Sequence, residues 1–113
     1  MTNKIYSFLG LATKAGKLLS GEETCERAVK SEKVCLVIVA ADAANNTKKK
    51  FGDMCKYRGI QIRFFGEKEL IGRYIGKKIR SVVAFSEIGF AKRIIEILDD
   101  TDLEDGGMDI GKS

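Results

Sequence analysis

Three short runs in this 113-residue chain combine residue types that suit a polyanionic ligand better than they suit their own local structure. The first is Lys48-Lys49-Lys50, which the pattern places in the first turn of a helix, directly after Asn45, Asn46 and Thr47. Cations at that end oppose the helix dipole, at a cost of about 0.3–1 kcal/mol each when exposed. A phosphate docked there would relieve the repulsion and take up free N–H groups, with Asn46 and Thr47 adding side-chain donors. The second run is Gly21-Glu22-Glu23-Thr24 with Arg27, at another predicted helix start, with Lys14 and Lys17 upstream. Carboxylates there can accept hydrogen bonds from base amino groups, while Arg27 can donate to guanine acceptors. The third is Glu87-Ile88-Gly89, where an aliphatic side chain in a turn could cover an unstacked base. Each run also has an ordinary structural explanation: a solvated lysine face, a Ser20–Glu23 capping box, and a hydrophobic staple onto the last helix.

Other chemistry is missing. The chain has no histidine, so the commonest general base is absent. No GxSxG, no P-loop and no GxGxxG after a strand occurs. Residues 72–78 (GRYIGKK) imitate a phosphate loop only superficially, since the glycine spacing is wrong. Asp42, Asp53, Glu67 and Glu69 are scattered carboxylates with no motif around them. Cys25, Cys35 and Cys55 form no CxxC pair, and without histidine a zinc site would lack ligands. The expectation is a non-enzymatic protein with no metal and no cofactor. The thiols are expected to be reduced, buried small hydrophobes, which points to the cytoplasm. No signal-peptide pattern opens the chain, and its longest apolar run, residues 34–41, is far short of the ~20 residues that span a bilayer.

The elements that must position these residues follow from hydrophobic periodicity. Ile5, Phe8, Leu9 and Ala12 share one face of a first helix ending near Gly16. Residues 17–19 read as a short extended link, followed by a second helix with Cys25, Ala28 and Val29 inward. VCLVIVAA (34–41) is apolar throughout, as a central strand covered on both faces must be. A third helix turns Phe51, Met54 and Cys55 inward and stops at Gly59; Ile60, Ile62 and Phe64 then alternate as a half-buried strand. A fourth helix over 67–75, a strand at 81–85 and a last helix from residue 89 complete the body. Helices and strands alternate without repeat or linker, which predicts an α/β fold, a three-layer α/β/α sandwich on a mixed, about four-stranded sheet. Loops 17–24, 41–48 and 86–90 each lead into a helix and are expected to share one rim of that sheet. Charge divides the chain: residues 99–113 carry six acids and one lysine, leaving 1–98 at +9 within an overall +4. Residues 1–98 are therefore expected to form the polyanion-binding domain, and 99–113 an acidic, disordered tail.

Four segments, LGLATKAGKLLSGEET, VIVAADAANNTKKK, GIQIRFF and SEIGFAKRI, resemble in order and spacing the kink-turn-binding ribosomal protein family (large-subunit proteins seven-Ae and thirty-e), within it a bacterial YlxQ-like group. The likeness covers residues 3–98. It implies recognition of a kink-turn, a sharply bent RNA duplex with tandem G·A pairs. By the same resemblance Gly21, Glu22, Glu23, Thr24 and Arg27 would read those pairs, and Glu87, Ile88 and Gly89 would contact the bulge nucleotides. Lys14, Lys17 and Lys48 would lie against phosphates, with Lys49 beside them. The chain departs from the family pattern in having Glu23 for an asparagine, Arg27 for a lysine and Thr24 for a Glu or Gln. The reading is a non-enzymatic binder of structured, ribosomal RNA, with ribosomal or translation proteins as further partners and neither a membrane nor a small-molecule substrate. The alternative is a protein-interaction module in ribosome assembly or translation, with weak, non-specific RNA affinity.

Overall fold

The computed structural model describes the backbone of residues 2–110 and the side chains of residues 4–100. Among the described residues nine elements alternate: α1 (Thr2–Lys14), β1 (Leu18–Ser20), α2 (Glu22–Lys30), β2 (Leu36–Val39), α3 (Asn45–Arg58), β3 (Gln61–Phe64), α4 (Lys68–Tyr74), β4 (Val82–Phe85) and α5 (Ile88–Ile110). The strands form one sheet in the order β1-β4-β2-β3. β4 runs antiparallel to both β1 and β2, while β3 runs parallel to β2, so the sheet is mixed.

Every residue of β2 and β4 is buried, which is why those segments tolerate no polar position. α2 and α3 pack together over one face, and α1 with α4 and α5 over the other, giving the three expected layers. The core joins Ile5, Leu9, Val29, Ile38, Phe51, Phe85 and Ile94 across those layers. Tyr6 ties α1 to the segment after β3: its buried ring lies against Phe65 and Tyr74, each 5.1 Å away, and its hydroxyl accepts the Glu67 N–H at 2.9 Å. Cys25 and Cys55 are buried free thiols and Cys35 is half-buried.

Three local expectations change. Residues 18–20 are an edge strand rather than a link, because β4 supplies their hydrogen-bonding partner. Ser20 does not cap α2: it ends β1, the N-cap is Gly21, and no side-chain cap bond forms there, so the Ser20–Glu23 box is absent. α3 starts at Asn45, after an Ala44 N-cap, so Lys48 to Lys50 fall in its second turn, where the dipole penalty is smaller. The acidic tail expected from residue 99 lies, beyond residue 100, outside the described side chains.

Candidate nucleic-acid interface

Strand direction decides which predicted residues meet. Chain exits from β1 and β2 lie on the rim where β4 begins: the Gly21 N–H donates to the Val82 carbonyl at 3.0 Å, and the Ala40 N–H to the Ser81 carbonyl at 2.8 Å. The exit from β4 lies on the opposite rim, where the Ser86 N–H reaches the Lys17 carbonyl at 3.0 Å and the Cys35 N–H the Phe85 carbonyl at 2.9 Å. The single rim expected for loops 17–24, 41–48 and 86–90 is therefore corrected to two. Gly21, Glu22, Glu23, Thr24 and Arg27 gather with Asn46, Thr47, Lys48 and Lys49 through the packing of α2 on α3. Lys17 and the Glu87-Ile88-Gly89 segment, with Lys14 one turn upstream, occupy the other rim.

Of the first group, Gly21 to Thr24 border an open cleft of about 410 Å³ between residues 20–24 and residues 79–81. Gly21 makes one wall possible. It sits at φ 102°, ψ 144°, a backbone conformation that side chains disfavour, and from there the chain turns directly from β1 into α2. With no side chain capping the first turn, its N–H groups remain available to a ligand's acceptor atoms. Glu22 and Glu23 stand beside them in the same turn.

Those carboxylates already have cationic partners. Lys50 reaches Glu22 at 3.0 Å and Glu26 at 3.1 Å, Lys30 reaches Glu26 at 3.0 Å, and Arg27 lies 3.5 Å from Glu23. Hydrogen bonds from Lys30 and then Lys50 hold the Glu26 carboxyl below the ordinary glutamate range. Hydrogen bonds to Glu22 and Glu26 in turn raise the Lys50 ammonium above the ordinary lysine range. Thr47 is buried and donates to Glu22 at 3.4 Å, so it braces α2 instead of facing solvent. Lys49 pairs with Asp53 at 3.0 Å, within its own helix. Of the lysine run, Lys48 alone has no ion pair among the described residues.

The other wall was missed by sequence reasoning. Ile79 is 54% exposed beside the cleft, and Arg80 spans it, donating from Nε to the Ser20 hydroxyl at 3.4 Å and from Nη1 to the Ile79 carbonyl at 3.0 Å. The loop is folded back on α4 by two backbone bonds, Lys77 N–H to Gly72 O at 2.8 Å and Arg80 N–H to Lys68 O at 3.1 Å. Gly72 permits this: a Cβ there would fall onto the Lys78 carbonyl oxygen and lie 2.6 Å from its carbon. A usable signal was present, an aliphatic residue flanked by Lys77, Lys78 and Arg80 shortly after Gly76.

The sequence profile described as "Ribosomal protein L7Ae/L30e/S12e/Gadd45 family" matches residues 3–95, nearly the whole described body. The chain belongs to this family. It is similar to the RNA-binding protein YlxQ of Bacillus subtilis (strain 168), 37% identical over 94 residues, covering 83% of this chain and 94% of that protein. To the RNA-binding protein YlxQ of Enterococcus faecium it is 40% identical over 97 residues, covering 85% and 92%. Among solved structures, a protein of unknown function from Bacillus halodurans C superposes with a TM-score of 0.81 at 40% identity, over 85% of this chain and 97% of that one. The Giardia lamblia 15.5kD RNA binding protein superposes with a TM-score of 0.72 over 89% and 87%, and at 19% identity it shows the shared fold alone. Among the described residues no helix is long and apolar enough to cross a membrane, and no group of three or more His, Cys, Asp or Glu is placed to hold a metal ion.

Proposed function

We propose that this family member is a non-enzymatic cytoplasmic protein that binds structured RNA, a kink-turn or internal loop of ribosomal RNA, in the cleft between the start of α2 and residues 79–81. The observation that carries the reading is the uncapped, glycine-initiated start of α2 facing Ile79 and Arg80 across an open cleft. Free N–H groups there suit phosphate or base acceptors, and Glu22 and Glu23 suit the amino groups that G·A pairs present. Arg27 offers a two-pronged donor to guanine, at the cost of its exposed pairing with Glu23. Ile79 takes the base-covering role first expected of Ile88, because it stands on the same rim as α2. Arg80 and Lys48 supply charge for the backbone. The curated relatives named as RNA-binding proteins support the same reading.

Paired substitutions test it. Arg27→Ala is expected to cost about 1–3 kcal/mol of discrimination between a kink-turn and a copy lacking its G·A pairs. Lys48→Ala is expected to weaken both RNAs alike and to lower the salt slope by ~1. Equal loss on both RNAs for Arg27→Ala would remove this helix start from base recognition.

A further inference from the structure

Acidic residues avoid one part of this chain. Residues 1–21 and 70–86 together contain seven Lys or Arg and no Asp or Glu. Around the start of α2, by contrast, Arg27, Lys30, Lys49 and Lys50 all have carboxylate partners. The two acid-free segments meet where α1 packs on α4, and the last turns of those helices border a pocket of about 260 Å³. Lys14 and Arg73 line it from opposite helices, both exposed and neither with an ion pair among the described residues. Gly10 lets the helices approach this closely, since a Cβ there would lie 2.9 Å from the Tyr74 carbonyl oxygen. Gly76, at φ 76°, then turns the chain out of α4. Lys77 and Lys78 follow, exposed and likewise without ion pairs among the described residues, and Ile79 and Arg80 already border the α2 cleft. Gly76 in the pocket and Ile79 in the cleft are three residues apart, at most ~11 Å of chain. A cationic track therefore joins the cleft to the pocket.

We infer that the RNA held in the α2 cleft continues along this track, and that Lys14 and Arg73 clamp a backbone phosphate of its flanking stem in the α1–α4 pocket. The inference rests on the cleft reading above. Two like charges bordering one pocket repel each other, and a phosphate between them turns that repulsion into attraction. The ~11 Å step corresponds to about three nucleotides of a stacked strand, so one RNA can reach both places. The surface chemistry favours nucleic acid over a protein. Protein interfaces are centred on apolar side chains with few charges. Here the one aliphatic residue of the lining, Ile75, is buried, and what meets solvent is cationic. Nucleic-acid interfaces are polar and strongly positive, as this surface is. Such a contact reads no base; it positions the stem and adds affinity. The run at 72–78 (GRYIGKK), whose glycine spacing rules out a nucleotide loop, thereby acquires a role as a phosphate track.

Fluorescence anisotropy across a salt series tests this on the full chain, with a long-stemmed kink-turn RNA and two copies, each shortened in one stem. The double variant Lys14→Gln/Arg73→Gln should bind the long RNA about tenfold or more weakly at low salt, with a salt slope lowered by ~2. Its preference for G·A pairs should be unchanged. On the copy lacking the stem that reaches the pocket, variant and wild type should bind alike. Lys33→Gln/Lys56→Gln removes the same charge from exposed lysines near the C-terminal ends of α2 and α3, and should lose markedly less. Both doubles should fold, because the altered side chains are exposed. Equal losses in the two doubles, or a loss that neither shortened RNA abolishes, would overturn the inference and leave only long-range attraction. Unchanged binding by Lys14→Gln/Arg73→Gln would overturn it too. In each of these cases the wild type still prefers G·A pairs. Absence of that preference would instead overturn the cleft reading, and the inference with it.

Discussion

Replacing Gly72 by alanine separates the positioning of the loop from the stability of the fold. The added methyl would lie 2.6 Å from the Lys78 carbonyl carbon and closer still to its oxygen. Restoring ordinary contact at ~3.5 Å requires that peptide to retreat by roughly 1–2 Å. The first casualty is the Lys77 N–H to Gly72 O bond, now 2.8 Å, which would stretch to about 4 Å and cease to be one. Overpacking of this kind costs about 1–3 kcal/mol, and the lost hydrogen bond about 1 kcal/mol more. Better helix propensity returns about 0.5–1 kcal/mol, leaving a net loss of roughly 1–3 kcal/mol. A domain of this size keeps its fold against such a loss. Ile79 and Arg80 move with the loop, so RNA affinity should fall by about tenfold or more, since each 1.4 kcal/mol of lost contact is a factor of ten. Gly52, also helical but with nothing within 4 Å of its added Cβ, is the control. Gly52→Ala should gain about 0.5–1 kcal/mol and bind RNA as before. Denaturant titration and fluorescence anisotropy on both variants read the two effects. A Gly72→Ala protein as stable as Gly52→Ala and equally tight on RNA would refute the reasoning.

Three further outcomes follow from local chemistry. Glu87→Ala removes the side-chain acceptor of the Phe90 N–H and should cost about 1 kcal/mol of stability, seen as a lowered Tm with RNA affinity unchanged. Burial pushes the Cys25 thiol up to about 12 and Cys55 up to about 11. At pH 8 a thiol-alkylating reagent should therefore leave both unmodified in the native protein and label them only under denaturant; rapid native labelling would contradict their burial. The Glu26 carboxyl, held low by Lys30 and Lys50, stabilises the α2–α3 pairing fully above the ordinary glutamate range. That contribution should fade as pH falls through its lowered value. An NMR titration should place its midpoint below the ordinary glutamate range, and Lys50→Gln should move it upward.

Much of the architecture was legible because burial leaves a simple trace. The unbroken apolar run at 34–41 could only be a doubly covered strand, and the 3.6-residue spacing of Ile5, Leu9 and Ala12 marked the buried side of α1. β1 was not legible, since three residues acquire strand character only when β4 pairs with them. The capping box failed for a related reason. Ser20 and Glu23 have the right spacing, but pairing of the Gly21 N–H with Val82 holds that backbone in the sheet's register. Lys50 read as a phosphate contact because sequence does not reveal that α2 brings Glu22 and Glu26 within 3.1 Å of it. The largest error came from strand direction. Residue order does not say that β4 runs against β1 and β2, and that reversal puts Ile88 on the rim opposite the start of α2.

The most direct test is equilibrium binding of the full chain to a kink-turn RNA and to a copy with its G·A pairs replaced, across a salt series. The account predicts tight binding to the first, much weaker binding to the second, and a preference that persists as salt rises. Equal, steeply salt-dependent binding to both would mean phosphate attraction alone, and would contradict recognition by the start of α2.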